Sequence, residues 1–274
     1  MLRTRIITGA VVTAFTCVAL AYSHIPWVLN VVVALFSVIS IYELYKAALK
    51  RFNIPLYIVS SLVAVAISFL PIFEKIEKYI MLVLFVMALE GAVYFFMNLK
   101  ELNRIPMWMS ILAAVCITGF YRTILSLRAM DHGLIILIIA ILTPVITDIF
   151  AYFIGRSLGR HRLAPAISPK KTIEGSIGGT VYAVVINMLV IAILGKFNIV
   201  EFQGTKVLMI FLLLASIIGQ FGDLAFSSIK RIVGIKDYGR LLPGHGGLLD
   251  RFDSVLFVLP FTYLFLTFFA PLFI

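Results

Sequence analysis

Charge is scarce in this chain. Asp, Glu, Lys and Arg make up 13% of its 274 residues, where soluble domains carry about 25%. Hydrophobic residues reach 62% and the mean hydropathy is +1.10. A soluble globular fold is thereby excluded. Apolar runs of about 18 residues or more recur, each able to cross a hydrocarbon core of roughly 30 Å. Strand-like alternation is missing too, which excludes a β-barrel and leaves helices as the spanning elements. Cysteine is nearly absent: Cys17 and Cys116 both lie in apolar runs, so no disulfide framework is expected. There is no internal repeat and no low-complexity linker. Acidic residues number 13 against 23 basic ones, a net charge of +10. In a polytopic chain such an excess marks cytoplasmic loops, not a nucleic-acid partner.

What is present reads as an all-α polytopic membrane protein of about nine transmembrane helices, over residues 5–22, 26–43, 55–73, 78–98, 106–125, 133–154, 175–195, 207–228 and 254–272. Arg3, Arg5 and the small residues Ala19 and Ala21 give the first run the form of a secretory signal. The next run follows within a few residues, so a first membrane helix is expected instead. Seventeen of the 23 Lys and Arg fall on one side of this layout and six on the other. By the positive-inside rule the N-terminus is cytoplasmic and the C-terminus outside, in a cell inner membrane. The expected division is a scaffold of helices over 1–130 and a catalytic region over 131–274. Two long polar loops, 155–174 and 229–253, then face the cytoplasm.

Three carboxylates lie inside spans, where ionised groups are costly and mark function by default: Glu90, Asp148 and Asp223. Glu90 is deeper in its helix and reads as an interhelical hydrogen-bonding residue. Asp148 and Asp223 lie near the cytoplasmic ends of their spans. Asp250 and Asp253 lie just before the last one, three residues apart, on one face if helix has begun there. Four carboxylates at one depth repel unless a cation joins them, and Mg²⁺ suits oxygen donors plus substrate phosphates. The plainer reading makes them capping or ion-pair partners of Lys230, Arg231 or Arg251.

Loop 155–174 holds SPKKT directly before a helix opening GSIGG. Basic residues beside a membrane commonly anchor to anionic headgroups. A helix N-terminus with Lys170 and Lys171 beside it also suits phosphate. Gly175 and Gly179 form a G-x-x-x-G pair that lets another helix approach. In LPGHGGLLD, the glycines around His245 permit a tight turn that aims N–H groups at an anion. His245 could bind phosphate, donate a proton or ligate metal. The stretch is not a Walker-type phosphate loop. Together these features suit phosphoryl or nucleotidyl transfer at a membrane surface.

The stretch SSIKRIVGIKDYGRLLPGHGGLLDRFD, residues 227–253, resembles the signature of phosphatidate cytidylyltransferases, also called CDP-diacylglycerol synthases. Ser228, Lys230, Arg231, Lys236, Asp237, Gly239, Leu242, Pro243, His245, Gly246, Gly247, Asp250, Arg251 and Asp253 meet it without departure. AYFIGRSLGRHRLAPAISPKKTIEGSIGG and the FGD at 221–223 are similar to the family as well. Ile149, after Asp148, is bulkier than the small residue often found there. The detailed likeness covers roughly 145–260.

The resemblance implies transfer of a cytidylyl group from CTP to phosphatidate at the cytoplasmic face, with Mg²⁺, one cation or two being left open. It also implies a homodimer. Asp223 and Asp250 would be the metal ligands, with Asp253 and Asp148 as further candidates. Lys230 and Arg231 join Asp223, Asp250 and Asp253 as candidate catalytic residues. Candidate substrate-binding residues are Ser168, Lys170, Lys171, Ser228, Lys236, Asp237, His245, Gly246, Gly247 and Arg251. Expected partners are CTP, phosphatidate and membrane lipid. The rival readings are a CDP-archaeol synthase, a polyprenol or phytol kinase, or a cation-coupled transporter.

Overall fold

The structure is a computed structural model that describes residues 2–49, 52–69, 76–99, 105–199, 204–244 and 246–269, with only the backbone of 2–7 and 26. Nine helices are described: α1 Leu2–Ala21, α2 Pro26–Ala48, α3 Ile54–Phe69, α4 Glu77–Met97, α5 Met107–Arg128, α6 Gly133–Ser157, α7 Ile173–Lys196, α8 Thr205–Ile232 and α9 Leu249–Phe268. Seven of these, all but α1 and α3, are long and apolar enough to cross a membrane. Many of their large apolar side chains are exposed, as Ile177, Val181, Val185 and Leu189 on α7 are. That pattern fits lipid as the surrounding solvent.

One feature was not expected. Within the polar loop after α6, β1 Arg162–Ala164 and β2 Ser168–Thr172 pair as an antiparallel hairpin. Several boundaries also move. Helix α8 continues to Ile232, so Lys230 and Arg231 are helical rather than in a loop. Helix α9 begins at Leu249, so Asp250 and Asp253 share its first turns.

The chain forms two compact units. The first is Met1–Ser126 with Ser228–Asp253, and the second is Leu127–Ser227 with Ser254–Ile274. In the first unit, Phe36 of α2 packs on Tyr121 of α5 and Phe252 of α9, with ring centroids at 5.8 and 5.0 Å. Ser40 shares a hydrogen bond with the Tyr121 hydroxyl at 3.2 Å. A buried ion pair joins Arg122 to Glu77 at 3.3 Å. The same guanidinium donates to the Ile67 carbonyl at 2.6 Å. Glu90, expected to bond between helices, is instead exposed on α4.

In the second unit α6 and α7 pack closely. A Cβ on Gly179 would strike the Thr147 carbonyl and Ala151, and one on Gly175 would strike the Ala151 carbonyl. The G-x-x-x-G pair thus sets how near the two helices come. Phe211, Phe261 and Phe265 cluster between α8 and α9.

Candidate functional site

The sequence-predicted residues fall into two clusters, one in each unit. In the first unit the cluster is built where α8 ends and α9 begins. Lys230 Nζ meets Asp250 Oδ1 at 2.9 Å, and both side chains are buried. Asp250 Oδ2 accepts the backbone N–H of Tyr238 at 2.8 Å and of Gly247 at 2.9 Å. One carboxylate therefore closes the loop at both ends. The Tyr238 ring lies under the Lys230 ammonium, 5.4 Å from its centroid, a favourable cation–π placement. Burial, then Asp250 and Asp253, push the Tyr238 phenol well above its usual value. It stays neutral near pH 7.

The loop between these anchors turns sharply. Gly246 has φ +88, and a Cβ there would meet Asp250 Oδ2. The Leu242 N–H donates to the Gly246 carbonyl at 2.9 Å, and the Thr8 hydroxyl to the Pro243 carbonyl at 2.9 Å. A cavity of about 690 Å³ opens here, lined by Lys236, Asp237, Arg240, Gly246 and Arg251 among others. Lys236, Arg240 and Arg251 are exposed, so three cations ring its mouth. Arg231 is exposed and donates to the Ile235 carbonyl at 3.4 Å. Ser228 is fully buried. Gly247 is buried, its N–H taken by Asp250. Asp253 is buried on α9. His245 lies outside the described residues.

In the second unit the cluster involves α6, β2, α7 and α8. Lys171 of β2 forms an ion pair with Asp223 of α8. The Ser227 hydroxyl donates to Asp223 Oδ1 at 3.2 Å. The Ser254 hydroxyl donates to Asp148 Oδ2 at 3.4 Å. Asp148, Asp223, Lys170, Lys171, Ser176 and Gln220 are among the residues lining a cavity of about 260 Å³. Ser168 opens β2, half-buried.

Beneath this cavity runs a buried polar chain that sequence reasoning missed. Ser176 donates to Gln220 Oε1 at 2.5 Å, and Gln220 Nε2 donates to Thr180 at 2.9 Å. Ser216 bonds Thr180 at 3.0 Å and Thr147 at 2.8 Å. The signal was present: Ser216, Gln220, Asp223, Ser227 and Lys230 recur every three or four residues, the spacing of one helix face.

Two backbone N–H groups near the expected anion sites already have partners within the protein. The Thr172 hydroxyl accepts the Gly175 N–H at 3.1 Å as an N-cap. Glu174 in the first turn accepts His161 Nδ1 at 2.6 Å and the Arg160 N–H at 3.1 Å, clasping the hairpin. Likewise the Gly247 N–H of the glycine-rich turn meets a carboxylate of the protein itself. Among the described residues, no group of three or more His, Cys, Asp or Glu is placed to hold a metal ion. Asp148 and Asp223 do line one cavity with the Ser176 hydroxyl and the Gln220 amide. That is a hard-oxygen donor set, and it fits a Mg²⁺ that keeps several waters or phosphate oxygens.

Residues 3–269 match the model of the cytidylyltransferase family. The chain belongs to that family. The phosphatidate cytidylyltransferase of Staphylococcus saprophyticus is 47% identical over 130 residues, 47% of this chain and 48% of the relative. That of Bacillus subtilis is 42% identical over 160 residues, 58% of each. That of Staphylococcus aureus is 43% identical over 141 residues, 52% of this chain and 50% of the relative. The chain spans about half the length of the curated relatives it matches.

Proposed function

We propose that the protein transfers a cytidylyl group from CTP to phosphatidate, giving CDP-diacylglycerol and pyrophosphate. The observation that carries this reading is the cationic cavity at the 236–251 turn, where Lys236, Arg240 and Arg251 surround about 690 Å³. Family membership and the names of the relatives support the substrates.

A phosphatidate phosphate oxygen would attack the α-phosphorus of CTP. The bond from that phosphorus to the bridging oxygen of the β-phosphate breaks, and pyrophosphate leaves with the electron pair. Both reactants are anions, so the site must supply positive charge and alignment. Lys236, Arg240 and Arg251, which line this cavity, would take phosphate oxygens. Lys230, held by Asp250, adds a fixed cation behind them. Lys170 and Lys171 would serve the second cluster. The phosphatidate oxygen is already ionised, so no serine, cysteine or histidine nucleophile is required.

Mg²⁺ belongs to this proposal. Its oxygens would come from Asp148 and Asp223 in the second unit, and Asp250 and Asp253 are the candidates in the first. Bound there, it would neutralise charge on the triphosphate and the leaving pyrophosphate. The cytoplasmic placement of the site rests on the distribution of Lys and Arg, and the homodimer on the family resemblance alone.

The test uses purified protein in detergent with phosphatidate, radiolabelled CTP and Mg²⁺. Label should enter the organic phase with equal release of pyrophosphate, and EDTA should stop it. Lipid phosphorylation with release of CDP would make the protein a kinase. No turnover across lipid phosphates would refute both.

A further inference from the structure

Glu43 lies on α2, far in sequence from every residue of the signature stretch, and is 3% exposed. Its two carboxylate oxygens reach the start of α9. Oε1 accepts the Leu248 N–H at 3.0 Å and Oε2 the Leu249 N–H at 2.9 Å. The first N–H groups of a helix have no partner within it and are usually capped by a nearby Ser, Thr, Asp or Asn. Here the two residues before α9 are Gly247 and Leu248, and neither offers a capping side chain. The cap comes from α2 instead, and its negative charge suits the positive end of the α9 dipole.

The surrounding sequence is shaped to admit it. A Cβ on Gly239 or on Gly247 would run into the Glu43 carboxylate. Neither glycine has a positive φ, so the need for glycine there is space. Three successive amides, those of Gly247, Leu248 and Leu249, are thus held by two carboxylates, Asp250 for the first and Glu43 for the others.

We infer that Glu43 is a positioning residue for the transfer site: from α2 it pins the turn that presents Asp250 and the adjoining cationic cavity. This rests on the function proposed above. It also gives a helix of the N-terminal half a part in the chemistry beyond scaffolding.

The experiment compares wild type, Glu43→Gln and Glu43→Ala as full-length protein in detergent. It reads steady-state kinetics with CTP and phosphatidate, the folded fraction, and hydrogen exchange across 247–250. Gln keeps one acceptor oxygen, whereas Ala keeps none. A hydrogen bond to a charged group is worth roughly tenfold or more in an equilibrium. Turnover per folded molecule should therefore fall about tenfold in Gln and about a hundredfold in Ala, chiefly in kcat. KM for phosphatidate should stay within about twofold, and the amides of Leu248 and Leu249 should exchange faster in both variants. Wild-type kcat per folded molecule in either variant, or activity lost only in proportion to the folded fraction, overturns the inference. If Glu43→Ala does not fold, Glu43→Gln decides alone. Failure of the functional reading looks different: wild type itself does not turn over, while exchange at 248 and 249 still reports whether Glu43 holds the turn.

Discussion

Asp250 is the residue on which the first cluster depends. It faces a buried ammonium on one oxygen and two backbone amides on the other. Removing one partner of a buried ion pair commonly costs about 3–5 kcal/mol, because the other charge is left uncompensated. Asp250→Asn should therefore abolish turnover and also lower the thermal unfolding midpoint clearly in detergent. Lys230→Met should abolish turnover with a smaller loss of stability, since Asp250 would keep both of its amides. Asp223→Asn is expected to stop turnover and also to lower the midpoint, because the Lys171 Nζ that pairs with Asp223 is buried and would lose its compensating charge. Wild-type activity in Asp223→Asn or Asp250→Asn refutes the metal and catalytic assignments together. The signature residues were legible at this scale because their spacing is dense and specific. Glu43 was not: its partners are backbone amides, which leave no mark in a sequence.

The apolar runs fixed where the helices would be, because burial in lipid needs about 20 apolar residues and little else. Their ends were less legible. The last turn of α8 was read as loop, although helix continues through Lys230 and Arg231 to Ile232. Polarity marks where lipid stops, not where backbone hydrogen bonding stops. The β1–β2 hairpin escaped because its strands are short and polar and its loop looked like an anchor. Gly175 and Gly179 of α7 were read correctly as a close approach, and they give a sharp contrast. Gly179→Leu should drive α6 from α7 and cost stability well above 1 kcal/mol, as overpacking commonly does. Gly91 on α4 has nothing within 4 Å of a Cβ. Gly91→Ala should stabilise by roughly 0.4–1 kcal/mol, since it lowers only the freedom of the unfolded chain. Thermal midpoints of the two variants check both signs, and equal effects would disprove this account of α6–α7 packing.

At the scale of the whole molecule, each unit holds part of the candidate machinery, and the chain leaves the first unit and returns to it before finishing in the second. The proposed orientation of these elements in a membrane rests on charge alone: it would place seventeen of 23 Lys and Arg on the cytoplasmic side. Two exposed positions at opposite ends of α6 test it directly. Asp131 precedes the helix and Arg160 follows it. Cys17 and Cys116 are the native thiols, so replacing both with serine gives a clean background. In intact cells a membrane-impermeant maleimide should label Asp131→Cys and spare Arg160→Cys. In inside-out vesicles the pattern should reverse. CTP is confined to the cytoplasm, so the opposite pattern would put the β1–β2 hairpin and its lysines where no nucleotide reaches them. The proposed transfer would then fail on access alone, whatever the chemistry of the two clusters.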